Sequence, residues 1–133
     1  MFYGEEFLQT YALFEKSLPL FAVGGTFLAS HAEPFEAYTE EDLIETRHRG
    51  DVVLGLTWTD NGAAENGSVH ALLQHFLPKV QNPVYFGGHR PVTGHYHLRA
   101  EGKYIQIHNP DAQSVALVPC DRNFDPETDF ITI

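Results

Sequence analysis

At Pro83 the hydrophobic pattern of this chain changes its period. Upstream, apolar residues recur at helical spacing; downstream, they fall in short β-prone runs. "EEFLQTYALFEKSLP" sets Phe7, Tyr11, Phe14 and Leu18 on one stripe, with acids in the first turn and Lys16 near the end. That pattern predicts a helix that stops at Pro19, whose ring cannot continue the hydrogen-bond ladder. "TEEDLIETRHR" opens on Thr39 and acids and closes on basic residues, which predicts a second helix. "SVHALLQHFLP" predicts another, with Val69, Leu72, Leu73 and Phe76 on one face ahead of Pro78. "DVVLGLTW" is an apolar run that fits a strand and a buried helix equally well, and "TDNGAAENG" reads as loop. One strand pair comes early: "LFAVGGTFLASH" reads as a hairpin around Gly24-Gly25. From Pro83 onward "PVYFGG", "GHYHLRAE", "KYIQIHN", "SVALVP" and the closing "DFITI" read as strands, with Glu101-Gly102-Lys103 as a tight turn. The expectation is an α/β (α+β) fold, a mixed sheet with flanking helices, as a single domain over residues 1–133.

The charge balance removes whole classes of partner. A net charge of −10 with only eight Lys and Arg leaves no basic footprint. Nucleic acid and anionic membrane surfaces are therefore excluded as partners, because both are bound through basic clusters. The single cysteine, Cys120, excludes an internal disulfide and fits a reducing compartment. "MFYGEEF" carries no basic region and no apolar core, and no run approaches the roughly 20 apolar residues of a membrane span. The expectation is a cytoplasmic protein without a signal peptide.

Chemistry gathers at histidines. Three apolar strand candidates each end at one: "TFLAS" at His31, "VYFGG" at His89 and "KYIQI" at His108. In open α/β sheets ligands bind beyond the carboxyl ends of strands, so these are the positions where imidazole would serve as a ligand for zinc, iron or manganese. Each histidine equally suits a strand end that simply meets water. Gly87 and Gly88 ahead of His89 would let backbone approach an ion or a phosphate closely. "HYHLRAE" offers a different set, His95, His97 and Glu101. Residues two apart on a strand share a face, and this spacing resembles the first metal motif of cupins, single-metal all-β barrels. The second glycine-rich histidine motif of that family is missing, and the helices suit a cupin badly. His48, His70 and His75 have no partner at ligand spacing and read as solvated helix positions.

The order of motifs carries a further resemblance. "YGEEFLQTYALFEKSLPLFAVGGTFLASHAEP", "GLTWTDN", "GSVHALLQHFLP" and "VYFGGHRPVTGHYHL" follow one another as do the segments in the C-terminal half of the phosphoprotein phosphatases. The chain resembles that metallophosphoesterase family over nearly its whole length. The resemblance implies one part of an α-β-β-α sandwich and hydrolysis of a phosphorylated substrate with divalent metal ions (Mn, Fe or Zn). It implies His31 and His89 as ligands of one metal; Arg90 or Arg49 is the candidate to stand in for the family's phosphate contact. His89 is followed by Arg90-Pro91, as in the Gly-His-x-Pro variant of the superfamily. The departures are equally specific. His31 is followed by Ala32 rather than Gly, and Asn66 stands where the family carries a phosphate-binding arginine. The Asp-x-His, Gly-Asp and Asn-His-Glu motifs that precede these segments in the family are not in this sequence, and Gly50-Asp51 falls after His31, in the wrong order. A two-metal centre holds its ions roughly 3.5–4 Å apart and needs anionic bridging ligands. Two histidines alone should bind metal weakly. The expectation is therefore a fragment, a split protein or an inactive remnant. A complementing N-terminal half or a second copy would be its partner. The remaining reading is a metal-free interaction module that keeps the half-fold, with exposed sheet edges that favour pairing.

Overall fold

The computed structural model describes residues 4–133, apart from the side chain of Arg47. The first three residues, on which the signal-peptide expectation partly rests, lie outside the described residues.

Helix α1 spans Glu5–Ser17 and ends two residues ahead of Pro19, with Leu18 as its cap. It is followed by β1 (Phe21–Val23) and β2 (Phe27–Ser30), an antiparallel pair. The Gly24 N–H donates to the Phe27 carbonyl at 2.8 Å, so the two-residue loop is Gly25-Thr26, one position later than expected. Thr39 caps α2 (Glu40–Ile44) in a reciprocal box with Asp42. The ambiguous "DVVLGLTW" is helical: α3 spans Gly50–Thr57 and buries Val52, Gly55 and Leu56. Helix α4 covers Ser68–Phe76 and buries Val69, Leu72 and Leu73. The strands after Pro83 are β3 (Val84–Gly87), β4 (His97–Arg99), β5 (Tyr104–Gln106), β6 (Ser114–Ala116) and β7 (Phe130–Thr132).

Five strands form one mixed sheet in the order β1-β2-β3-β5-β4, and β6 and β7 pair separately. The three inner strands β2, β3 and β5 are parallel; the outer strands β1 and β4 run antiparallel to their neighbours. Register and side-chain alternation divide the core in two. Leu28, Tyr85 and Tyr104 form one cross-strand row and pack against Val52 and Leu56 of α3 and Val69, Leu72 and Leu73 of α4. Phe86 and Ile105, from the adjacent row, join Val84 on the opposite face and pack under Phe124, Phe130 and Tyr96. A central strand covered on both faces should be apolar throughout, and all four residues of β3 are buried. Burial of each large apolar side chain in these clusters contributes about 1.5–3 kcal/mol.

Helix α1 departs from that economy. Its apolar stripe is left uncovered: none of its residues is buried, and Tyr11, Phe14 and the following Leu18 remain about half exposed. Among the described residues no helix is long and apolar enough to cross a membrane.

Gly87 is a point of close approach between β3 and β5. A Cβ built there would lie 2.1 Å from the hydroxyl oxygen of Tyr104, whose ring is fully buried against Tyr85 at 5.9 Å between centroids. The ring has nowhere to retreat. Gly87→Ala is expected to lower the unfolding free energy by about 1–3 kcal/mol, read as a lower urea midpoint with an unchanged denaturant slope.

Candidate functional site

Because β2, β3 and β5 are parallel neighbours, their carboxyl ends come to one edge of the sheet, and each delivers a histidine there: His31, His89 and His108. Backbone pairing continues beyond the strands. Gly88 N–H donates to the His31 carbonyl at 2.8 Å, and Ile107 N–H to the Gly87 carbonyl at 2.8 Å. The three histidines border an open cavity of about 380 Å³, with Ala29, Phe86 and Ile107 in its apolar wall.

Each histidine is held by a different device. The residue after His31 donates from its N–H to the Leu56 carbonyl at 2.8 Å, and Phe35 N–H donates to the Gly55 carbonyl at 3.0 Å. These bonds satisfy carbonyls at the C-terminal end of α3, which would otherwise lack intrahelical partners. The same helix end presents Trp58, whose ring meets that of His89 edge to face at 5.5 Å. His89 is forced into the left-handed region, with φ of 62°. A non-glycine residue adopts that conformation at a cost of roughly 1–2 kcal/mol, and such outliers cluster at functional sites.

The rings of His31 and His89 are also edge to face, with centroids 5.5 Å apart. The Nε2 atom of His89 is buried and has no hydrogen-bond partner. An unpaired buried nitrogen of this kind calls for an explanation in what the site binds. Desolvation first, then the nearby positive charge of Arg90 and the adjacent His31, hold the His89 imidazole below its ordinary range; Asp60 opposes them. The neutral ring with a free lone pair is the form that ligates a metal.

Arg90 follows on the same turn, and its guanidinium pairs with the carboxylate of Asp60. That bond and the accompanying charge attraction hold Asp60 below the usual carboxylate range. Arg90 is exposed, and its charge is partly committed to Asp60. Sequence reasoning brought His31 and His89 together correctly as neighbours. It did not place Trp58 or Asp60 beside them; both lie in the quoted "GLTWTDN", but only the tertiary fold joins that segment to the His89 turn.

His95, His97 and Glu101 do not gather. His95 precedes β4, bonds Ser114 through Nδ1 and stacks on Phe130. His97 stands in β4 itself, and Glu101 lies in a left-handed turn, 3.6 Å from His70. Among the described residues no group of three or more His, Cys, Asp or Glu side chains is arranged to hold a metal ion. Cys120 is exposed and reduced. A larger groove of about 1130 Å³ runs between α1, α2 and the Phe21–Phe76 contact, but it contains no histidine.

Comparison of the chain with protein-family models, with curated proteins and with solved structures finds no match.

The depressed His89 pKa has a defined consequence for stability. Below about pH 6.5 the unfolded chain takes up this proton before the folded one does, so folding stability falls as pH drops through that window. The imidazole of His89, followed by proton NMR, is expected to titrate below the ordinary histidine range. Asp60→Asn should lower it further, because it removes the one carboxylate that favours the charged ring. A titration at or above the ordinary value would contradict the assignment.

Proposed function

We propose that this chain carries the C-terminal half-fold of a phosphoprotein-phosphatase-like metallophosphoesterase, contributing one sheet and its helices to an α-β-β-α sandwich. Its chemistry is metal-assisted hydrolysis of a phosphoester, with His31 and His89 as ligands of a divalent ion such as manganese, iron or zinc. The observation that supports this most directly is the pair of imidazoles at the ends of adjacent parallel strands, 5.5 Å apart, one with a buried and unpaired Nε2. The motif order described above supports it independently.

The residues fit a metal ion in part. Two imidazoles give two neutral donors; the nearby carboxylate of Asp60 is engaged by Arg90, and among the described residues no group of three or more ligand side chains is arranged around an ion. A divalent ion held there supplies Lewis acidity toward a phosphoryl oxygen and acidifies bound water. This chain's own contributions are orientation and exclusion: His31 and His89 are fixed by α3 and by the left-handed turn. Trp58 meets one side of His89, and Arg90, the next residue in the chain, is the candidate cation for an arriving phosphate. Binding by the isolated chain is weak, and a complementing half or a second copy supplies the missing anionic ligands.

Surface area supports a partner. The chain exposes 8899 Å², against about 7,000 Å² for a compact monomer of 15.0 kDa. Helix α1, whose aromatic positions stay exposed, is part of that surface. The same excess favours a second reading, a non-catalytic interaction module on the half-fold.

Isothermal titration with manganese or zinc, alongside hydrolysis of a generic aryl phosphate, separates these readings. The expected result is weak binding that His31→Ala or His89→Ala each reduces by about 100-fold or more, at or beyond the loss from removing a supporting residue, with little turnover by the chain alone. Tight stoichiometric binding that survives both substitutions would overturn the ligand assignment. An absence of both metal binding and turnover would favour the interaction module.

A further inference from the structure

The last strand of the parallel set reaches across to the turn that carries His89. Gln106 and His108 are two positions apart on β5 and its extension, so their side chains project to the same side. Gln106 Nε2 donates to the Arg90 carbonyl at 2.7 Å, and His108 Nδ1 lies 3.1 Å from the His89 carbonyl oxygen. A carbonyl oxygen only accepts, so His108 Nδ1 carries the proton and donates it. Val92 N–H returns a bond to the His108 carbonyl at 2.9 Å, closing the far side of the turn. Three bonds from one strand extension thus span the backbone from His89 to Val92.

That turn needs an external hold. His89 has a left-handed backbone without being glycine, a conformation that persists only where its surroundings over-determine it. Within the turn only the short Arg90 N–H to Gly88 carbonyl bond, 2.8 Å, supports it. Gln106 is 1 % exposed, and one of its side-chain atoms, Oε1, is left without a partner. A buried amide that leaves half its capacity unused is poor as a core residue. Its placement makes sense through the Nε2 bond to Arg90.

We infer that Gln106 and His108 are positioning residues that clamp the His89–Arg90 turn and so aim the His89 imidazole at the ion. This rests on the reading of His89 as a metal ligand, and it extends the site to the third parallel strand. Neither residue touches the ion; both act through the backbone of the turn that does.

The side chains divide the test. Asn at position 108 reproduces the Nδ1 donor close to the same point, whereas Gln places its amide where Nε2 was. Manganese or zinc titration of the full chain is expected to show about tenfold weaker binding in His108→Ala and in His108→Gln, near-native binding in His108→Asn, and a loss of up to about 100-fold in Gln106→Leu. His108 is exposed, so its variants fold even where Gln106→Leu does not. Native affinity in His108→Ala, or a loss in His108→Asn equal to that in His108→Ala, would overturn the clamp. The second measurement needs no metal. The backbone carbon shifts of His89 are expected to report a left-handed residue in the unmodified chain and in His108→Asn, and to move toward extended values in His108→Ala. Unmodified protein that binds no metal would sink the ligand reading, and the His89 shifts alone would then decide the clamp: unchanged shifts in His108→Ala refute it.

Discussion

The structure depends on the hydrogen-bond ladder of three parallel strands. Pairing β2 with β3 and β3 with β5 in one direction fixes where three separate segments end, and it fixes them at the same edge. The ladder runs on through Gly88 to His31 and through Ile107 to Gly87, so the polar ends are held by the same main-chain bonds that hold the apolar centres. Side-chain alternation then does the rest. Tyr85 and Tyr104 meet the helices, and the residues one position away from them, Val84, Phe86 and Ile105, meet the aromatic cap of Phe124 and Phe130. The histidines need no binding energy of their own to be neighbours. They are neighbours because of the register.

Much of this was legible in the sequence, and the reasons differ by residue. His31, His89 and His108 each closed an apolar run, and strand termination is a local property that composition reveals. Thr39 and Pro19 punctuated helices through chemistry confined to one turn. The hairpin was legible to within one position, because Gly24 and Gly25 both suit a turn and only the Gly24–Phe27 bond chooses between them. "DVVLGLTW" could not be decided locally. Its helix buries one face, Val52, Gly55 and Leu56, but carries apolar Val53 and exposed Leu54 off that face, so its hydrophobic pattern carries no clear period.

The rest of the site is tertiary. The Asp60–Arg90 pair joins residues 30 positions apart, and the Arg99–Glu33 pair, at 2.9 Å, joins residues 66 apart. No spacing rule reaches that far. The stripe on α1 was read correctly as helical, but its exposure was not legible, because amphipathicity says which face seeks cover and not whether cover is present. The cupin-like trio failed for a related reason. His95, His97 and Glu101 have strand spacing on paper, but β4 is only three residues long, and His95 and Glu101 fall outside it.

The parallel arrangement also has a kinetic meaning. Ser30 and Tyr85, whose hydroxyls lie 2.7 Å apart beneath the histidines, are separated by 55 positions in the chain. Closing so long a loop costs entropy before any contact repays it, and parallel pairing offers no short-range hairpin as a nucleus. The early β1–β2 hairpin and the helices can form from local contacts, but the histidine edge cannot. It comes into being only when β3 docks between β2 and β5. Late docking of that one strand therefore sets the moment at which a folding chain first has a site at all.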